Sequence, residues 1–146
     1  MKVTKSVQIA APIDDVWDAL TNPEIIQLYL FGTRVVTDWK QGSEIKFNGN
    51  WHGTPFVDKG KVLEAQKNKM LRYTYWSSVL GLEDIPENYT ITTFFLEQAP
   101  HSVTLIASQG NLESQPKQVQ DHAEKYWEDL LGSLKKLVEA KLKTAL

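Results

Sequence analysis

Two tyrosines separated by one residue, Tyr73 and Tyr75 in "KMLRYTYW", are the side chains best suited to orient a bound molecule. A tyrosine in an apolar wall carries a hydroxyl that needs a partner, and a ligand can supply one. The chain holds five Trp, five Tyr and five Phe, so such rings are available from several elements. Strand alternation puts Leu71, Tyr73 and Tyr75 on one face and Met70, Arg72, Thr74 and Trp76 on the other. The apolar contrast predicts the Tyr73 face inward, and a bulge near Trp76 would reverse the choice. Trp39 and Trp51 stand beside turns, where they rim a cleft or mark an interaction surface. Phe94 lies in "YTITTFFLE", while Trp127, Leu130 and Leu134 share a helical stripe. Together Tyr73, Tyr75, Trp39, Trp51, Phe94, Trp127, Leu130 and Leu134 form the candidate ligand-binding set. The competing role is core filling, the commoner fate of a helical aromatic such as Tyr126, Trp127 or Trp17.

Other chemistries find less support. His52, His101 and His122 show no metal-ligand spacing, and no metal or cofactor is expected. No catalytic residue is assigned, because no Ser-His-Asp set can be assembled from spacing alone. "GNWHG" lacks the strand–loop–helix setting and the lysine of a phosphate loop. Glu83, Asp84 and Glu87 read as a solvated acidic loop. Arg34 and Arg72, the only arginines, read as solvated too, since an inward arginine would require a carboxylate.

Bulk properties narrow the field further. A chain of 146 residues suits one domain, 1–146, able to bury roughly 68–70% of its unfolded surface. At 42% hydrophobic and 23% charged residues it has a globular composition. A net charge of −2 gives no global basic field, so neither nucleic acid nor a membrane is an expected partner. Cysteine is absent, which removes disulfides, thiol nucleophiles and thiolate metal sites. With no apolar run near 18 residues and no signal-peptide core, a cytoplasmic location is expected.

The elements that must position these side chains follow from periodicity. "KVTKSVQIAA" alternates as a strand, with Val3, Lys5, Val7 and Ile9 on one face. "PIDDVWDAL" spaces Ile13, Val16, Trp17 and Leu20 as a helix, and Pro23 stops it and opens a second short one, "EIIQLYL". Six short β-rich runs then follow, separated by the turn signals "KQG", "NGN", "QKNK" and "QAPH" and by the longer "SSVLGLEDIPEN", which reads as a lid or an irregular loop. From about Pro116 to about Lys143 the stripe Val119, Ala123, Tyr126, Trp127, Leu130, Leu131, Leu134, Leu137 and Val138 predicts one helix of roughly 40 Å. Asp121–Lys125 and Glu139–Lys143 are acid-before-base pairs at a spacing of four. A straight helix cannot touch every strand of a twisted sheet, so bulky side chains or a cavity must fill the gap. The paired short helices are placed to close one end of it.

The stretches "APIDDVWDALTNPE", "DWKQGSEIKF", "GKVLEAQKNKMLRYTYW", "YTITTFFLE" and "WEDLLGSLKKLVE" resemble, in order, the helix-grip fold of the START/Bet v 1-like (SRPBCC) superfamily. Within it the chain is most similar to the C-terminal-domain-like family of heat-shock-protein-90 ATPase activator homologues. It departs from the family pattern at Leu28 and Tyr29, where a tryptophan is frequent, and at Gly42-Ser43, where a double glycine is frequent. The resemblance implies an α+β fold, a curved antiparallel sheet of about seven strands around a long C-terminal helix, used as a binding scaffold. Three functions follow as expectations. The first is non-catalytic binding of a small, mostly apolar or aromatic ligand. The second, implied by the resemblance, is interaction with a chaperone or stress-related protein. The third is an enzyme acting on a hydrophobic substrate, such as a cyclase or hydrolase.

Overall fold

The computed structural model describes residues 1–145, with the side chains of residues 51 and 142–145 outside the description. Strand β1 (Val3–Ile9) leads into helices α1 (Ile13–Thr21) and α2 (Pro23–Tyr29). Strands β2 (Arg34–Val36), β3 (Glu44–Trp51), β4 (Thr54–Gln66), β5 (Met70–Tyr75), β6 (Thr90–Gln98) and β7 (Val103–Gly110) follow, and helix α3 (Lys117–Ala145) closes the chain. The sheet order is β1-β7-β6-β5-β4-β3-β2 with every pair antiparallel. The six later strands therefore form a meander, and β1 pairs with its last member. This is the α+β helix-grip arrangement expected from the resemblance.

The interruption at Pro23 has a local cause on each side. Asn22 donates its backbone N–H to the Asp18 carbonyl at 2.8 Å, ending α1, and its side chain accepts from Glu24 N at 3.0 Å, starting α2. Pro23 occupies the first turn of α2, where a missing N–H costs nothing. A helix end leaves its last carbonyls unpaired, and here side chains from later elements reach them. The Tyr29 hydroxyl donates to Ala19 O at 2.7 Å, and the Trp39 indole donates to Thr21 O at 2.8 Å. Both rings are thereby fixed at the end of the sheet that the helix pair covers.

Helix α3 packs most closely along β1 and also touches α1 and α2. Ala123, Trp127, Leu130, Leu131, Leu134 and Val138 are buried on it, while Tyr126, at the margin of the stripe, is 41% exposed. The expected Asp121–Lys125 pairing is not made. Asp121 takes Lys117 at 2.7 Å and Lys125 takes Asp129 at 3.0 Å, because a spacing of four offers each charge a neighbour on either side. Lys143 of the other expected pair has its side chain outside the described residues.

The core divides in two. One cluster joins α1 and α3 to β1, β5, β6 and β7; the other joins Ile26, Val35, Ile45, Phe47 and Val62. Tyr29, Leu30, Trp39, Ala65 and Tyr73 touch both.

Strand β4 bends between them. Its register on β5 shifts between Val62 and Glu64, a β-bulge that sharpens local twist. Nearby, a Cβ added to Gly60 would lie 1.7 Å from the Thr74 carbonyl oxygen. Only glycine lets the two strands meet there. Gly60→Ala is expected to destabilise the fold by about 1–3 kcal/mol, the cost of forcing atoms into a filled space, read as a lowered urea midpoint with unchanged slope.

Candidate functional site

A cavity of about 530 Å³ lies between α3 and the sheet. The sheet contributes Phe47 from β3, Asp58 from β4, Tyr73 and Tyr75 from β5, and Thr92 and Phe94 from β6. Helix α3 faces them with Ala123, Tyr126, Trp127 and Leu130. The helix pair and the turn after it close one end with Leu20, Ile26, Tyr29, Leu30 and Trp39. Exposed Phe31, Gln118 and His122 also reach the cavity and mark its opening.

Six of the lining rings form an unbroken series. Ring centroids are 5.0 Å apart for Tyr75–Phe47, 5.7 Å for Phe47–Tyr73 and 6.4 Å for Tyr73–Phe94. The series then crosses to the helix, with 5.8 Å for Phe94–Trp127 and 5.3 Å for Trp127–Tyr126. Such separations are those at which edge and face attract. Trp127 is also pinned by its indole N–H, which donates to Gln109 Oε1 on β7 at 2.9 Å. The wall is therefore stiff as well as apolar.

One carboxylate stands in this wall. Asp58 is 3% exposed, accepts from the Tyr75 hydroxyl through Oδ2, and accepts at Oδ1 from Ser78 N at 2.8 Å and Ser78 Oγ at 3.1 Å. Burial, and then the Asp58 charge, push the Tyr75 hydroxyl far above its ordinary value near 10. Burial does the same to Tyr73 and Tyr29. Tyr126 is pushed up to about 12, first by the partial burial of its hydroxyl and then by the Asp58 charge. All four phenols stay protonated near neutral pH and act as hydrogen-bond donors rather than bases. Among the described residues no group of acids and histidines could hold a metal.

Of the residues singled out from sequence, Tyr73, Tyr75, Trp39, Phe94, Trp127 and Leu130 line the cavity together. Leu134 does not line it: one helical turn further along, it is fully buried in the packed core. The Trp51 side chain lies outside the described residues. Sequence reasoning missed Asp58, Phe47, Tyr29 and the rim residue His122, whose Nδ1 lies 2.7 Å from Gln118 O. Glu83, Asp84 and Glu87 are exposed, as the reading of a solvated acidic loop expects, and the loop is also tied to the sheet. Asp84 pairs with Lys59 and accepts from Tyr89 at 2.5 Å, while Tyr89 stacks on Trp76 at 6.4 Å, so the long connection is clamped to the sheet. Arg34 meets Glu24 at 3.1 Å on the exposed surface, and Arg72 donates to Thr93 at 3.2 Å.

A curved seven-stranded sheet gripping one long helix, with a cavity rich in aromatic rings between them, defines the helix-grip fold. Residues 10–139 match the family described as "Activator of Hsp90 ATPase homolog 1-like protein", and the chain belongs to that family. The solution structure of ChR145 from Cytophaga hutchinsonii is 40% identical with a TM-score of 0.83, covering 98% of this chain and 97% of that one. The crystal structure of MLL2253 from Mesorhizobium loti is 23% identical with a TM-score of 0.80, covering 96% and 98%. The solution structure of the Aha1 dimer from Colwellia psychrerythraea is 20% identical with a TM-score of 0.75, covering 95% and 96%. No curated protein matches the sequence.

Two measurements check the site. Every tyrosine of the chain is shifted upward, Tyr89 to about 12 as well. A raised folded-state value means the stabilising contribution is complete below the unfolded value near 10 and decays as pH rises beyond it. Ultraviolet titration should accordingly show no phenolate near pH 10 in folded protein, and stability should begin to fall there. Separately, Leu134→Ala should cost about 2–5 kcal/mol, whereas Leu130→Ala, already facing open space, should cost less in the same denaturation assay.

Proposed function

We propose that this chain encloses a small, mostly apolar molecule between α3 and the sheet and releases it unchanged, acting as a cytoplasmic single-domain binding protein. The observation that carries this reading is the cavity of about 530 Å³, inside the range of roughly 300–1,000 Å³ typical of small-molecule sites. Its walls are mostly apolar and rich in aromatic rings, with hydroxyls, amides and one carboxylate among them. That combination favours apolar bodies and leaves orientation to those polar groups. Family membership agrees, since proteins of this superfamily bind hydrophobic ligands or serve as interaction modules. Tyr73, Tyr75, Trp39, Phe94, Trp127 and Leu130 are the proposed contact residues.

The test is direct. Gentle native mass spectrometry of the purified protein should reveal a co-purifying small molecule, and titration with apolar probes should quench or shift tryptophan emission saturably. Ala123 is buried and lines the cavity from α3, so Ala123→Phe should fill the space. Binding should weaken at least tenfold while the circular dichroism spectrum is kept. Probe binding that Ala123→Phe leaves untouched would refute the reading.

A second reading is supported by one surface feature. Phe31 at the cavity opening is 82% exposed and Leu28 on α2 is 63% exposed, apolar side chains of a kind that mark contact surfaces. With the family's name, this supports a protein-interaction role toward a chaperone or stress-related partner. Addition of the chain to an Hsp90-type ATPase should then change ATP turnover, and Phe31→Ser should abolish that change. Unaltered turnover, with no complex formed, removes this alternative.

A further inference from the structure

Charge in the cavity wall is one-sided. Among the described lining residues Asp58 is the only carboxylate, and neither Lys nor Arg is present. The neighbouring Lys59 is engaged elsewhere, by Asp84 and over the Trp76 ring at 5.6 Å. His122 sits at the exposed rim. The Asp58 carboxylate therefore meets three hydrogen-bond donors, from Tyr75 and Ser78, and no cation. Those donors make burial tolerable, but they are neutral and leave the charge in place. A carboxylate also offers about four acceptor positions, of which three are used.

The rings beside it are the complementary half. Tyr75 bonds Asp58, and Phe47 lies opposite Asp58 in the β3–β4 register and 5.0 Å from Tyr75. Tyr73 adds a third ring at 5.7 Å from Phe47. Aromatic faces attract cations, most strongly where water is excluded. A carboxylate with rings around it recognises an ammonium by charge, by an N–H···O bond and by the ring faces together. The same wall opposes a carboxylate, which would bring like charge into a low-dielectric space.

We propose that the cavity selects ligands that carry a protonated amine on an apolar body, with the nitrogen at Asp58 among Tyr75, Phe47 and Tyr73 and the apolar portion along Phe94 and Trp127. This rests on the ligand-binding reading and adds the charge class of the ligand. Asp58 on β4 and Tyr126 on α3 line the same cavity, so the carboxylate belongs to the enclosed space and not only to the sheet.

The experiment compares decylamine, decanol and decanoate, below their micelle-forming concentrations, by calorimetric titration near neutral pH. Affinity should fall in the order amine, alcohol, carboxylate, with about tenfold or more between the first and last. Asp58→Asn should remove the amine's advantage over the alcohol, leave decanol within about threefold, and strengthen decanoate. Tyr75→Phe keeps the charge and frees an acceptor, so it should preserve or widen the preference; it also serves if Asp58→Asn fails to fold. Decanoate binding as tightly as decylamine overturns the proposal while sparing the ligand-binding reading. So does a preference unchanged by Asp58→Asn, or one lost in Tyr75→Phe. Failure of all three compounds to bind overturns both.

Discussion

A straight rod cannot follow a curved floor. Helix α3, 29 residues long and so about 43 Å, lies close to β1 and departs from the strands at the other side of the sheet. On that side β4 carries the bulge between Val62 and Glu64, and Gly60 packs directly against the Thr74 carbonyl. The two resulting core clusters share bridging side chains but no common packed centre. The cavity is what lies between them. Helices α1 and α2 close its end because their junction is tied down by Tyr29 and Trp39, which donate to carbonyls that a helix terminus leaves open.

The same side chains thus serve stability and the site. Tyr29 and Trp39 cap α1 with their polar ends while their rings face the cavity. Trp127 bonds β7 through its indole and continues the ring series through its face. Using each aromatic at both ends leaves few groups that could collapse inward, which favours an open space over a merged core. Asp58 is the only carboxylate among the described lining residues, retained with three donors.

Much of this was legible in sequence because periodicity reports directly on faces. The alternation of β1, the stop at Pro23, the turn-separated β-rich runs and the change to helical spacing after Pro116 placed the seven strands and three α-helices, and Tyr73, Tyr75, Phe94, Trp127 and Leu130 fall on inward positions. The helical stripe puts Leu134 with the ligand set because it reports which face is inward, not where along the helix the sheet falls away. Asp58 was hidden by the bulge. Counting back by twos from inward Ala65 gives Leu63, Lys61, Lys59 and Val57 as the inner set and turns Asp58 to the solvent. The extra residue between Val62 and Glu64 reverses that parity. The sequence carries no sign of that shift, which depends on how β4 pairs with β5. Side-chain pairing on α3 was likewise open, since Asp121 and Lys125 each have a second partner four residues away.

The central claim is that the space between α3 and the sheet admits an apolar guest. Nuclear Overhauser contacts between isotope-labelled protein and unlabelled decanol test it most directly. The account predicts contacts from the alkyl chain to the rings of Tyr73, Phe94 and Trp127. Contacts confined to Leu28, Phe31 and other outer residues, with none to those three rings, would contradict it.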